Sequence, residues 1–263
     1  MKFYMSYWSR GYRQSNNMIS SHTLDMHKLS VFLIKKHYGE CHMITDSVCK
    51  DYFTNIGFDS ISTELDCISH IKTHNWALGK LFAYKILSEQ NIEFAHIDYD
   101  VFLWKPFPEH LLKSEVFVQC VEPNSFDTYK LDIFNKCSAN KHHIGNISKK
   151  DTAYNMGIFG GINIQFINEY ANSAIQLTLD NKECFDEMAT YSGYNVACLC
   201  EQYYLKVMSD KFGAKVKCLI EGMDPYKVEH EANLLGYTHL NSIKDDQIIK
   251  DELQLRMKEF GLK

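Results

Sequence analysis

Two kinds of segment alternate along the first hundred residues. One is a short apolar run, and the other is a longer segment in which apolar residues recur at helical spacing. Residues 2–7 and 41–45 are apolar runs of strand length, whereas apolar side chains recur at helical spacing across Thr23–Tyr38. Asn75–Leu87 shows the same helical spacing and leads into a further apolar run at 93–98. Because strands and helices alternate, this pattern predicts an α/β fold with a mostly parallel central sheet flanked by helices.

Capping residues mark the ends of these elements. Gly39 follows the first helix as a C-cap, because glycine adopts at little cost the backbone conformation that ends many helices. Asp46 and Ser47 end the second strand and are placed to cap a helix that runs through Phe53. A third strand is predicted at Ser60–Glu64.

The pattern is less regular in the second half of the chain. Residues 122–151 are polar without clear periodicity, and a connection of this length in a compact domain is usually functional or disordered. This insertion and the loop at 9–20 are candidates for a lid over a site. Further elements are predicted as strands at 116–121, 154–161 and 215–220 and as helices at 164–180, 199–210 and 244–263.

Composition narrows the class of protein. The chain has 263 residues, of which 45% are hydrophobic and 23% charged, as in an ordinary globular domain. A net charge of −5 without blocks of like charge argues against a nucleic-acid-binding surface. The nine cysteines form no Cys-x-x-Cys pair, which favours free thiols in a reducing cytoplasm. The sequence has no signal-peptide-like or membrane-length apolar stretch, so we expect a cytoplasmic protein with at most peripheral membrane contact.

Two aspartates carry the strongest indication of function. Asp98 and Asp100 follow one apolar run and precede another, Val101–Trp104. Between such flanks two carboxylates would repel each other and would be costly to desolvate without a cation, which argues against a surface turn. On an extended segment both would point to the same side and could hold one ion. Magnesium and manganese are bound by one or two carboxylates together with substrate phosphates, so the pair predicts a metal–phosphate site at the end of a strand.

Three further segments place polar side chains at candidate positions. Asn155 enters an apolar strand and can hydrogen-bond a sugar hydroxyl, while Gly157 lets the backbone approach a ligand or a neighbouring strand closely. Glu201 and Gln202 open a predicted helix, where capping is the plainer explanation. His239 is a single histidine, which is usually no ligand, but imidazole suits manganese beside a two-carboxylate site.

Together these motifs resemble the nucleotide-sugar-dependent glycosyltransferases of the GT-A type. That fold has a Rossmann-like amino half ending in an Asp-x-Asp motif, which Asp98-Tyr99-Asp100 matches. Its retaining galactosyl- and glucosyltransferase branch also has an Asn-x-Gly strand, an acidic-Gln pair at a helix start, and a late His followed by a Lys. Asn155-Met156-Gly157, Glu201-Gln202, and His239 with Lys244 match these features in the same order. Two departures are the Glu, where the branch usually has Asp, and the missing glycine between the late His and Lys.

The resemblance implies the class of enzyme and its organisation. One GT-A domain would span residues 1–263, with a nucleotide-binding half at 1–108, a smaller sugar- and acceptor-side half at 109–243 and a C-terminal helix at 244–263. The enzyme would be a hexosyltransferase that uses Mn²⁺ or Mg²⁺. It would move a sugar from a nucleotide diphosphate donor, with UDP-sugars favoured, to a glycan or protein acceptor with retention.

Residue roles are implied by the same resemblance. Asp100 and His239 would bind the metal ion, and Asp98 would bind the ion or the donor ribose. Gln202 would lie beneath the anomeric carbon as a catalytic residue. The other implied contacts are to the donor. Lys244 would contact its phosphates, and Lys80 its sugar or phosphates. The sugar would be bound by Asn155, Gly157 and Glu201 (which is also catalytic), and the nucleoside by Tyr7 and Asp46.

Two alternatives stay open. A phosphohydrolase of the haloacid dehalogenase type also has Asp-x-Asp-x-(Thr/Val) after a strand, and would use Asp98 as nucleophile and Asp245-Asp246 as its later acidic motif. That motif normally lies on the first strand, whereas 97 residues and several β-α units precede Asp98 here. The second alternative is a non-catalytic protein that binds nucleotide sugars.

Overall fold

The computed structural model describes residues 1–10, 19–73, 75–122, 129–136, 142, 144–145, 147–189, 195–222 and 225–262. Seven strands of these residues form one sheet and two form a small separate sheet. The strands are β1 Lys2–Ser6, β2 His42–Ile44, β3 Ser60–Ser62, β4 Phe94–Ile97, β5 Val101–Leu103, β6 Val116–Glu122, β7 Ala153–Gly161, β8 Val216–Ile220 and β9 Tyr237–His239.

The large sheet is mixed and mostly parallel. Its order is β3-β2-β1-β4-β7-β6-β8, and only β7 runs antiparallel to its two neighbours. The chain leaves β1 toward β2 and β3 and returns to β4 on the other side of β1. In open α/β sheets ligands bind beyond the carboxyl ends of the strands at such a switch point, here between β1 and β4.

Helices cover both faces of this sheet. They are α1 Ser21–Tyr38, α2 Lys50–Phe53, α3 Ala77–Glu89, α4 Glu109–Leu112, α5 Ile164–Asp180, α6 Lys182–Met188, α7 Val196–Cys198, α8 Tyr204–Phe212, α9 Pro225–Leu235 and α10 Gln247–Glu259. One core cluster, around Tyr84, Phe159 and Tyr170, lies between the sheet and helices α3, α5 and α8. A second cluster, around Ile34 and Ile97, lies on the α1 side. The predicted α/β class is therefore confirmed, and none of the helices in the described ranges is long and apolar enough to cross a membrane.

The small sheet pairs two distant parts of the chain and was not predicted. Strands β5 and β9 are antiparallel, with Val101 opposite His239 and Leu103 opposite Tyr237. Helix α10 packs beside it, and Leu240, Leu253 and other buried side chains form a third cluster there. Through this strand pairing, the C-terminal region packs against the segment that follows β4.

The first helix shows how local sequence sets the ends of an element. Ser20 accepts a hydrogen bond from the Thr23 backbone N–H, so α1 begins at Ser21, two residues earlier than predicted. Gly39 has φ 88° and its N–H donates to the Lys35 carbonyl, which confirms the predicted C-cap.

The predicted polar insertion at 122–151 has some structure. Strand β6 extends to Glu122, and a short 3₁₀ turn spans Leu131–Lys136. Both lid candidates fall partly outside the described residues, which omit 11–18 of the first and 123–128, 137–141, 143 and 146 of the second. Their role as lids stays a prediction.

Candidate metal and donor-binding site

Asp98 and Asp100 lie in the turn between β4 and β5, at the carboxyl edge of the large sheet. The Asp98 N–H donates to the Gly157 carbonyl of β7 at 2.9 Å, and the Val101 N–H donates to the Asp98 carbonyl at 3.0 Å. The expectation of one extended segment was therefore wrong, because this hydrogen bond closes a turn instead. Asp100 is buried and Asp98 half-buried.

Strand β9 brings His239 to the Asp100 carboxylate. The Leu240 N–H donates to the Asp100 carbonyl at 3.1 Å, and His239 Nε2 lies 3.6 Å from Asp100 Oδ1. His239 Nδ1 lies 2.8 Å from Gln119 Oε1. Because an amide oxygen only accepts hydrogen bonds, Nδ1 donates a proton to Gln119, and Nε2 is the ring nitrogen that faces the carboxylate.

Gly157 makes room for this imidazole. A Cβ at position 157 would lie 2.6 Å from His239 Nδ1 and 2.9 Å from Gln119 Oε1, so any side chain would displace the ring. The Gly157 N–H donates to Asn155 Oδ1 at 3.0 Å, which holds this part of β7 in place. The close approach expected at Gly157 is thus to a side chain of the small sheet.

Three side chains converge as a candidate metal site. One ligand atom each from Asp98, Asp100 and His239 lies within 4.8 Å of the other two. An imidazole nitrogen and a carboxylate that face each other need a proton or a cation between them, and two carboxylates with one imidazole suit a divalent cation such as manganese. Gln119 supplies the outer hydrogen bond that usually orients a metal-binding histidine. The residues therefore fit the divalent cation that the sequence predicted.

Each of the two carboxylates is also paired with a lysine. Lys244 Nζ lies 2.7 Å from Asp100 Oδ2 and 5.1 Å from the centre of the Tyr99 ring. Lys80 Nζ lies 2.9 Å and 3.1 Å from the two carboxylate oxygens of Asp98. The site therefore combines negative ligand atoms with positive side chains on either side.

The Asp100 and Lys244 pair favours both charges. Burial alone would raise the pKa of Asp100, but His239 and Lys244 hold that pKa well below its usual range. Burial alone would lower the pKa of Lys244, but Asp100 raises that pKa above its ordinary value. Both side chains are therefore charged at neutral pH.

Glu201 lies behind Lys80 in the core. Its Oε1 lies 2.7 Å from Lys80 Nζ and accepts a hydrogen bond from the Tyr84 hydroxyl at 3.2 Å. The Tyr170 hydroxyl donates to the Glu201 carbonyl at 2.8 Å. Burial raises the pKa of Glu201, and Lys80 opposes this rise. Glu201 has no exposed surface, so a direct contact with a ligand would require Lys80 or Tyr84 to move.

The helix that carries Glu201 and Gln202 differs from the prediction. It begins at Val196, where Asn195 caps it, and Leu199–Tyr203 forms a π-helical turn between α7 and α8. Glu201 and Gln202 therefore lie inside a helix, and the expectation that they open it was wrong. Single π-helical turns are frequent at functional sites, because they re-aim the side chains they contain.

A chain of hydrogen bonds joins the Asn155 strand to the Gln202 helix. The Asn155 amide donates to Glu122 Oε1. The Tyr129 hydroxyl lies 2.9 Å from Glu122 Oε2 and 2.7 Å from Gln202 Oε1. Asn155 and Gln202 thus face the same region through two side chains that the sequence did not mark.

Tyr7 and Asp46 lie at the carboxyl ends of the neighbouring strands β1 and β2. Asp46 accepts from the Ser9 N–H at 2.8 Å, the Ser9 hydroxyl at 2.6 Å and the Cys49 N–H at 3.0 Å. Asp46 therefore caps the turn that precedes α2, but the N-cap of that helix is Cys49, which makes no side-chain capping bond, so the predicted helix cap was placed too early. The Tyr7 ring packs edge-on against Phe53 with centroids 5.4 Å apart. Contact of Tyr7 and Asp46 with a nucleoside stays a prediction.

The structure therefore gathers the residues picked from the sequence at one edge of the sheet. Ion pairs join Lys80 to Asp98 and Glu201, and Asp100 to His239 and Lys244, and the ligand atoms of Asp98, Asp100 and His239 lie within 4.8 Å of one another. The residues that were missed are Gln119, Glu122 and Tyr129. Of these, Glu122 lies at the carboxyl end of its strand, just as Asp98 follows the carboxyl end of β4. Because ligands bind at the carboxyl ends of strands in such sheets, this position could have indicated Glu122 from the sequence. No pattern in the sequence singles out Gln119 or Tyr129.

The fold and the site define an α/β protein with a candidate divalent-metal site at the carboxyl edge of its central sheet. The chain belongs to DUF6734, a family of unknown function, whose model matches residues 1–258. A search of the curated proteins finds no match.

Among the solved structures that are similar to this chain, two are of glycosyltransferases, the class that the sequence resemblance indicated. One is the galactosyltransferase LgtC in complex with donor and acceptor sugar analogs, at 10% identity and a TM-score of 0.48 over 97% of this chain and 96% of that chain. The other is the apo form of mouse xyloside xylosyltransferase 1, at 8% identity and a TM-score of 0.46 over 92% of this chain and 97% of that chain. Likenesses this distant carry no argument about chemistry.

Proposed function

We propose that the protein is a metal-dependent glycosyltransferase that transfers a sugar from a nucleotide diphosphate donor to a glycan or protein acceptor. The observation that supports this most is the cluster of ligand atoms from Asp98, Asp100 and His239 within 4.8 Å, beside two lysines. A UDP-sugar donor, retention of configuration, the two halves at 1–108 and 109–243, and a cytoplasmic location belong to the same proposal.

The residues around the metal site suit the charge of the leaving group. Cleavage of a glycosyl–phosphate bond develops negative charge on the diphosphate, and a bound Mn²⁺ or Mg²⁺ would act there as a Lewis acid. Lys244 adds a second positive charge. Its side chain is 30% exposed, so Nζ can leave Asp100 and reach a diphosphate without crossing the core.

The residues on the opposite side suit the sugar. Positive charge develops on the sugar ring as the bond breaks, and the oxygen atom of the Gln202 side chain can stabilise it. Asn155 would bind a sugar hydroxyl, and Tyr129 would hold Gln202 in place through the hydrogen bond between their side chains. Glu201 would act through Lys80, which it positions from behind.

A screen of nucleotide sugars with and without Mn²⁺ tests the proposal. We expect one of them to raise the melting temperature only with Mn²⁺, and to be hydrolysed slowly to its nucleoside diphosphate. In Asp100→Ala both effects should be lost, because a metal ligand is gone. The melting temperature without ligands should fall modestly, since Lys244 loses its ion-pair partner.

The matched control is Asp251→Ala, which removes an exposed carboxylate on α10. It should hydrolyse the donor like the unmodified protein. Unaltered hydrolysis of the donor by Asp100→Ala would contradict the assignment of the metal site. NMR of the first-formed product reads its anomeric configuration, and an inverted anomer would contradict retention.

The same experiments separate the two alternatives. Metal-dependent phosphatase activity with an aspartyl-phosphate on Asp98 would show a phosphohydrolase. Tight binding of a nucleotide sugar without turnover of any donor or acceptor would show a non-catalytic binding protein.

A further inference from the structure

His96 is a buried histidine on β4 with one ring nitrogen unpaired. Its side chain is 1% exposed, and Nε2 lies 2.9 Å from the Ser6 hydroxyl oxygen of β1. Nδ1 is also buried and has no hydrogen-bond partner among the residues that the structure describes. An unsatisfied buried polar atom destabilises the folded state, because it has lost its hydrogen bonds to water. A position in the centre of the sheet that tolerates this cost requires an explanation.

The unpaired nitrogen faces the metal site. His96 lies near the end of β4, and Asp98 begins the turn that follows this strand. His96 Nδ1 is 3.8 Å from Asp98 Oδ1, just beyond hydrogen-bond distance. A small rotation of the Asp98 carboxylate would close this gap.

The hydrogen-bond geometry indicates which ring nitrogen of His96 presents a proton to Asp98. Lys80 Nζ already supplies a positive charge to the same Asp98 carboxylate. Ser6 can donate its hydroxyl proton to Nε2, which places the N–H on Nδ1, where it faces Asp98.

We propose that His96 is a positioning residue that donates its Nδ1–H to Asp98 Oδ1 and so holds this carboxylate in the orientation that ligates the metal, with Ser6 fixing the tautomer. The proposal rests on the metal site of the proposed function. Partners of this kind, which hold a ligand without touching the metal, typically change metal affinity about 10- to 100-fold when they are lost.

The tautomer of His96 can be read directly in the unmodified protein. Long-range ¹H–¹⁵N NMR spectra of protein labelled at histidine distinguish the protonated ring nitrogen from the unprotonated one. The His96 signal is assigned by its loss in His96→Asn. We expect the proton on Nδ1. A proton on Nε2, donated to Ser6, would overturn the proposal and leave His96 as a core residue with a structural role only.

Two amide substitutions separate positioning from packing. The amide nitrogen of asparagine falls near the position of Nδ1, and that of glutamine near Nε2. Titration of Mn²⁺ by calorimetry should give His96→Asn a Kd within about threefold of the unmodified protein, and His96→Gln a Kd about tenfold weaker. Rescue by asparagine alone is not expected from a role in packing.

Each remaining outcome decides one of the two claims. An equal Kd in all three proteins, or equal weakening in both variants, would overturn the role of His96 and leave the proposed function intact. If the unmodified protein binds no Mn²⁺, the metal site of the proposed function fails. If His96→Gln does not fold, the NMR tautomer and the Kd of His96→Asn decide the matter.

Discussion

The two aspartates of the site each pair with a lysine, but the two lysines occupy very different surroundings. Lys80 lies on α3, is 5% exposed, and is held from behind by Glu201 as well as by Asp98. Lys244 follows a short turn before α10, and 30% of its side chain is exposed. One pair is therefore part of the core, and the other lies at its edge.

This difference indicates how one site can be stable without a metal ion and still bind one. Lys80 is almost fully buried and balances two carboxylates, so we treat it as a fixed charge. Lys244 is partly exposed, so it can move to water or to a phosphate group when a cation takes its place at Asp100. We therefore expect a cation that binds Asp100 to replace Lys244 there and to leave Lys80 in place.

The largest effect that tests this comparison is on stability. Lys80→Met leaves the Asp98 and Glu201 carboxylates without their shared cation, so the free energy of unfolding should fall by about 3–5 kcal/mol. The same substitution at Lys244 leaves Asp100 with His239 and removes one charged hydrogen bond, so a loss of about 1.5 kcal/mol is expected. Chemical denaturation at pH 7 measures both. Equal losses would contradict the distinction between a core pair and an edge pair.

A somewhat smaller effect should appear in the pH dependence of stability. His27 stacks on Tyr99, between the two aspartates, with ring centroids 4.7 Å apart. Burial lowers its pKa from the ordinary 6.5 to about 4. Between these values the unfolded chain binds a proton and the folded one does not, so stability falls as the pH drops from 6.5 toward 4. The loss should reach about 3 kcal/mol from this group.

His27→Phe isolates this contribution, since phenylalanine fits among the rings that surround His27. Denaturation curves at pH 7 and pH 4 should show a pH-dependent loss about 3 kcal/mol smaller in the variant than in the unmodified protein. The same loss in both proteins would show that His27 is protonated in the folded state.

The smallest expected effect is on ligand binding by Lys244→Met. Without the lysine, Mn²⁺ alone should bind more tightly, because the competing charge at Asp100 is gone. UDP in the presence of Mn²⁺ should bind about tenfold more weakly, because the charge that meets the diphosphate is gone. Calorimetry measures both constants. Parallel changes of the two affinities would contradict an exchange of Lys244 between Asp100 and the diphosphate.

The half of the site that contains Lys80 and Asp98 could be predicted from the sequence. Helical periodicity and the tendency of ligands to bind at the ends of strands were sufficient. Hydrophobic spacing located α3 and β4, so the pattern of the chain is enough to place Lys80 in that helix and Asp98 just after that strand. These are contacts between segments close in sequence, where local pattern decides the geometry.

The other half depends on pairing across the chain. His239 reaches Asp100 only because β9 pairs with β5, and both strands have three residues, too short for a periodic pattern. The turn at Asp98 and the π-helical turn at Glu201 were also not predicted. The first is held by a hydrogen bond to a distant strand, and the second by a hydrogen bond from a buried tyrosine. The resemblance to GT-A enzymes named His239 and Lys244, but it could not give their contacts.

Anomalous X-ray diffraction at the manganese edge, from crystals grown with Mn²⁺ and UDP, tests the central claim most directly. We predict one manganese peak with Asp98, Asp100 and His239 as ligands and with Lys244 moved from Asp100 to the diphosphate. UDP bound elsewhere, or no manganese at this turn while Lys244 stays on Asp100, would contradict a donor site at the end of β4.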